Sequence, residues 1–153
     1  MMKRFTATIA WQRRGEAFIG GRYSRAHTWA FDGGAVVPGS SSPLSVPLPY
    51  SDAEAVDPEE AFVAALSSCH MLFFLGFAAK RHWIVESYVD EAEGFMERNA
   101  DGKWAMTRVV LRPQLTFADA IPAQTDIDDL HRESHEECYI ANSVRSEIVI
   151  EPQ

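Results

Sequence analysis

The sequence predicts one α+β domain over residues 1–153, on three observations. An apolar run from Ala61 to Ala79 has the length of a helix that crosses a whole domain. Segments on both sides of it alternate apolar and polar residues with the period of β-strands. No internal repeat or shift in composition marks a boundary, and the length suits a single core.

Two strands come first, over Lys3 to Arg13 and Arg25 to Phe31. Phe5, Ala7 and Ile9 alternate with Thr6 and Thr8, and AHTWAF repeats the pattern after a turn containing Gly20 and Gly21. From Asp32 to Val56 the chain is rich in Gly, Ser and Pro, which predicts a turn, short extended pieces and a long surface loop.

A long helix begins at Pro58. Asp57 is placed to cap it, Pro58 suits the first helical position, and Glu60 completes a capping box. It runs to Lys80 or Arg81, whose charges complement the helix C-terminus, and is about 34 Å long. Its composition also matches a membrane span. Ser67, Ser68, Cys69 and His70 lie in its middle, where lipid would penalise them, so a buried central helix is the expectation.

Two long strands follow, Ile84 to Met96 and Trp104 to Phe117, joined by a hairpin turn at Asn99 to Gly102. Pro113 is expected to mark an edge or bulge late in the second. A second helix runs from about Asp126 to Cys138, capped by Thr125, with Ile127, Leu130, Ser134 and Cys138 on its apolar side. Val144 to Ile150 closes the chain as a strand.

A net charge of −8 argues against nucleic acid or an anionic membrane as partner and suits a small neutral or apolar ligand. The opening MMKRFTATIAWQRR lacks a hydrophobic stretch of signal length, which points to a cytoplasmic, reducing setting. There, a cysteine pair is more often catalytic than a permanent staple. The chain has two cysteines, Cys69 and Cys138, each in or at the end of a predicted helix. On residues alone the pair is a staple, a metal clamp or a catalytic couple.

Three stretches carry a resemblance that covers almost the whole chain: DPEEAFVAALSSCHM, HEECYIANSVRSEIVIEP and GGRYSRAHTWAFDGG. They are similar to the two cysteine motifs and the N-terminal arginine region of the OsmC/Ohr family. The resemblance implies an OsmC/Ohr-like fold, with antiparallel sheets around a long buried helix, in an intertwined homodimer with sites at the subunit interface. It also implies a thiol peroxidase that reduces organic hydroperoxides. Cys69 would attack the peroxide and become a sulfenic acid, and Cys138 would resolve it as a disulfide. The family precedent for recycling is an external lipoyl-type or small dithiol, and no bound cofactor or metal is expected. After its second cysteine the family commonly has proline, where this chain has Tyr139.

A reactive thiol in apolar surroundings needs a positive neighbour. The resemblance assigns that role to Arg25, with Arg22 as the alternative, and makes Glu59 the carboxylate that holds it. Ten residues separate Glu59 from Cys69, about 15 Å along one helix. Either the helix breaks or Glu59 serves the site of the other subunit. Phe62 and Phe73 lie along the same side of the helix as Cys69 and are the expected substrate wall, with packing in the core as the ordinary role for each.

Two readings from other classes remain. Cys69, His70, His131, His135 and Cys138 have residue types that zinc favours, although His131 and His135 belong to a charged stretch that reads as a solvated face. A small-molecule-binding protein with inert cysteines is the other.

Overall fold

The computed structural model describes residues 1–118 and 120–153. They form two compact units, Met1–Ala61 and Phe62–Gln153.

The first unit holds an antiparallel sheet of β1 (Ala7–Ala10), β2 (His27–Phe31) and β3 (Val36–Gly39), with β2 central. The first two strands are shorter than expected. Between them, positive φ at Arg14, Gly15, Gly20 and Gly21 turns the chain repeatedly, so residues 11–26 fold over as loop. The stretch after Phe31 supplies β3 and then a long loop that returns at Val56, bridged in parallel to Gly39.

Helix α1 (Pro58–Lys80) starts where the capping signals place it. The Glu60 N–H donates to Asp57 Oδ1 at 2.8 Å, and the Asp57 N–H donates to Glu60 Oε2 at 3.2 Å. The helix is unbroken. Its apolar residues lie all round, yet only Leu66, His70, Phe74 and Ala78 are buried, a stripe four residues apart.

In the second unit the two long strands predicted after α1 are each divided. The order is β4 (Val85–Asp90), β5 (Glu93–Arg98), β6 (Trp104–Leu111) and β7 (Pro113–Phe117). Strands β4 and β7 pair in one sheet, and β5 and β6 in another with β8 (Glu147–Ile150). The hairpin turn at Asn99 forms as expected, with Gly102 at φ +74° and its N–H donating to the Asn99 carbonyl at 2.9 Å. The division falls at Asp90 and Arg112. Asp90 Oδ1 accepts the Arg112 N–H at 2.6 Å, and Arg112 bridges to Glu93 and Glu151 at 2.6 and 3.2 Å. Pro113, with no N–H to offer, stands where the strand changes sheets.

The two sheets cover successive halves of α1. Phe74 and Ala78 pack with Ile127 and Leu130 of α2 (Gln124–Glu137), flanked by Val85, Tyr88, Leu115 and Phe117 of β4 and β7. Leu66 packs with Val109 and Leu111 of β6, flanked by Ile148 and Ile150 of β8. One straight hairpin cannot wrap both.

Two further details differ from expectation. Helix α2 starts at Gln124, so Thr125 lies inside it, and Ala123 at the N-cap makes no side-chain cap bond. The closing strand is shorter than Val144–Ile150, because residues 141–143 form a 3-10 turn, and it runs parallel to β6. That long connection from β6 back to its neighbour passes through α2 and allows the parallel pairing.

Candidate functional site

In the second unit the two cysteines come together. Cys69 lies on α1 between the buried Leu66 and Phe74, at the seam of the two apolar clusters, and is half-buried. Cys138 is the C-cap of α2 and 1 % exposed. The placement follows from the α2 stripe of Ile127, Leu130, Ser134 and Cys138, all buried as its spacing predicts. Both thiols are free.

Their environments are unequal. The Cys138 thiol is pushed up to about 11, first by burial, which disfavours the thiolate, and then by the neighbouring Cys69 thiol. Backbone N–H groups oppose this: Ala141 donates to Cys138 Sγ at 3.4 Å, and Ile140 contributes in the same direction. At neutral pH Cys138 is therefore a protonated thiol with donors already aimed at its sulfur.

Residues just before Cys69 are anchored. Ser67 Oγ donates to Asp90 Oδ2 at 2.5 Å, which ties α1 to the corner where the strands change sheets. Beyond Cys69, His70 and His131 are 1 % and 3 % exposed. Their rings are nearly parallel, 8° apart, with His70 Nε2 and His131 Nδ1 at 3.0 Å. Burial pushes His70 down to about 3 and His131 to about 4, so both are neutral at physiological pH.

The solvated-face reading of His131 is thus corrected. It occupies the position beside Leu130 that α2 turns toward α1, and Phe74 packs on its ring at 4.4 Å. The zinc set is corrected too. Among the described residues no three His, Cys, Asp or Glu side chains converge to hold a metal ion, and His70 and His131 are engaged with each other.

Arg25 and Glu59 both line a cavity of about 490 Å³ in the first unit. Arg25 Nη1 donates to the carbonyls of Gly21 and Tyr23 at 2.6 and 2.5 Å, and the guanidinium lies 3.8 Å from the centre of the Tyr23 ring. Its backbone carbonyl accepts from His27 Nδ1 at 2.7 Å. That contact leaves His27 Nε2 as the acceptor for the Trp29 indole N–H, also at 2.7 Å. Arg22 is exposed and does not line this cavity.

The apolar wall is one that sequence reasoning missed. Trp11, Phe18 and Tyr23 form an aromatic cluster, Phe18 stacked on Tyr23 at 4.6 Å and Trp11 edge-on to Tyr23 at 5.4 Å. A signal existed: three aromatic residues within a stretch punctuated by Gly15, Gly20 and Gly21. Phe62 packs with the cluster of Leu66, Val109 and Leu111. Phe73 meets Tyr139 edge-on at 5.0 Å, beside Cys138 in the chain.

A family model described as OsmC-like protein matches residues 51–153. The chain is 51% identical to an OsmC-like protein of unknown function from Vibrio cholerae, with a TM-score of 0.97 over 99% of this chain and 100% of that one. An organic hydroperoxide resistance protein from Elizabethkingia anophelis superposes with a TM-score of 0.71 at 16% identity, covering 99% and 95% of the two chains. The organic hydroperoxide resistance protein OhrB of Bacillus subtilis does so at 0.64 and 18% identity, covering 97% and 98%. These last two likenesses concern the fold. No curated protein matches the sequence significantly.

Proposed function

Because the chain belongs to the OsmC-like protein family, we propose that it is a cysteine-based peroxidase that reduces organic hydroperoxides to alcohols. The observation that carries this reading is the unequal thiol pair: a half-buried Cys69 beside a fully buried, protonated Cys138. The names of the Elizabethkingia and Bacillus proteins favour the same chemistry.

In the proposed cycle the Cys69 thiolate attacks the terminal peroxide oxygen. The O–O bond breaks, the alkoxide leaves and takes a proton as the alcohol, and Cys69 becomes a sulfenic acid. Cys138 then attacks the Cys69 sulfur, its proton goes to the departing hydroxyl as water, and a disulfide forms. The N–H of Ala141, aimed at Cys138 Sγ, stabilises the thiolate character that develops there. An external dithiol of lipoyl type restores both thiols by exchange.

The reading includes a homodimer in the cytoplasm. Helix α1 leaves apolar residues such as Leu72 exposed at 63 %, a surface that a second subunit would cover. Arg25 and Glu59, in their aromatic-walled cavity, are the proposed source of the positive charge and of the pocket for the alkyl or aryl group. Phe73 is retained as a candidate contact near the thiols.

The test follows free thiols and dithiol consumption while purified protein is titrated with cumene hydroperoxide and, separately, hydrogen peroxide. Cys69→Ser abolishes turnover, whereas Cys138→Ser stops at an oxidised Cys69. Wild-type rates in Cys69→Ser would sink the assignment.

A further inference from the structure

The pair His70–His131 joins the two helices that carry the cysteines, and it does so at a cost to the fold. Both rings are buried, and the single 3.0 Å contact between them uses one nitrogen of each. The other two, His70 Nδ1 and His131 Nε2, have no partner. Whichever ring donates, one N–H and one lone pair are left unpaired, with Phe74 packed on the His131 ring. Two leucines at these positions would satisfy the core better. A polar contact of this kind has another property, which apolar contacts lack: it exists at one register only.

Register matters here because of where the pair stands. His70 directly follows Cys69 on α1, and His131 lies seven residues before Cys138, two turns earlier on the same side of α2. The core between these helices consists of Phe74, Ala78, Ile127 and Leu130, apolar side chains whose non-directional contacts do not by themselves exclude a slide of one helix past the other by a turn of about 5.4 Å. Such a slide would carry Cys138 out of reach of Cys69.

We infer that His70 and His131 are positioning residues that lock α1 and α2 in the one register at which the Cys138 sulfur meets the Cys69 sulfur. They act on closure of the disulfide and leave the first reaction of Cys69 alone. The inference rests on the thiol-pair reading above, though it does not depend on the oxidant being a peroxide.

A coloured aromatic disulfide, dithiobis(nitrobenzoate), separates the two steps. The Cys69 thiolate displaces one arylthiolate and forms a mixed disulfide. The Cys138 sulfur then attacks Cys69, loses its proton to buffer and displaces the second arylthiolate. Two thiols are oxidised and one aryl disulfide is reduced. In wild type, two equivalents are released. In His70→Leu/His131→Leu the first release keeps its wild-type rate, and the second slows by on the order of tenfold to a hundredfold, the effect of a misplacement of about 1 Å or more. His131→Asn, whose side chain can place a polar atom near the position of Nδ1, retains fast closure, while His131→Ala loses it. This single-residue comparison decides the matter if the double variant fails to fold. Fast second release in the leucine or alanine variant overturns the inference, as does a wild type that releases one equivalent only. A normal two-step release together with no peroxide consumption would instead overturn the peroxidase reading and leave the register lock standing.

Discussion

Ser67 donates its hydroxyl to the carboxylate of Asp90 at 2.5 Å, two residues before Cys69, and the same carboxylate accepts the Arg112 N–H at 2.6 Å. One side chain thus fixes the place where two strands change sheets and ties that place to the helix under the thiol. Replacing Ser67 by alanine leaves a half-buried carboxylate short of a donor. The expected loss is about 1–3 kcal/mol for a hydrogen bond to a charged group. At about 2–4 °C per kcal/mol, the melting temperature falls by several degrees in calorimetry. An unchanged melting curve would show that the tie contributes nothing.

The buried histidine pair makes the fold sensitive to acid. Each histidine titrates near 6.5 when unfolded, whereas folded His70 is pushed down to about 3 and folded His131 to about 4. Below 6.5 the unfolded chain takes up protons that the folded chain refuses. Their full stability contribution is therefore present above about pH 6.5 and is lost as pH falls toward the folded values, with a slope approaching about 1.4 kcal/mol per pH unit for each. Urea midpoints measured from neutral to mildly acidic pH check this, and His70→Leu/His131→Leu flattens the profile.

Unequal thiols should react unequally. With its thiol at about 11, Cys138 at pH 8 carries only about one part in a thousand of thiolate. Brief treatment of the native protein with iodoacetamide labels Cys69 and spares Cys138, as read by peptide mass spectrometry. Labelling of Cys138 first would contradict its placement.

How much of this was legible in the residues can be judged element by element. The start of α1, the turn at Asn99 and the buried stripe of α2 were readable because each rests on local chemistry: a capping box, a turn residue with its glycine, a helical period. The division of the two long strands was not. It depends on Asp90 reaching Arg112 and Ser67, partners far away in sequence. The same is true of His131, which reads as one polar residue among the charges of HRESHEE until α1 is placed against it. Of the candidate site, the cysteines were visible as a pair; Arg25 and Glu59 were named by resemblance alone, and that both line one cavity depends on the fold. The aromatic wall of Trp11, Phe18 and Tyr23 was hidden because loop residues carry no periodicity.

Gly39 shows how tightly the first unit is built next to its cavity. A methyl group there would lie 2.5 Å from Trp29 Nε1 and 2.6 Å from His27 Nε2. Gly39→Ala must separate the hydrogen-bonded His27 and Trp29 side chains, at a cost of about 1–3 kcal/mol. The readout is a lower melting temperature with a changed tryptophan fluorescence. Identical spectra and stability would show that the neighbours yield freely.

The parallel strand β8 has a consequence for the order in which the protein folds. It pairs with β6, so the sheet over Leu66, Val109 and Leu111 stays open along one edge until Ile150 has been added. Strands so far apart in sequence pair late, because the chain between them must first be ordered, so the sheet over Leu66 is completed after the local turns and helices have formed.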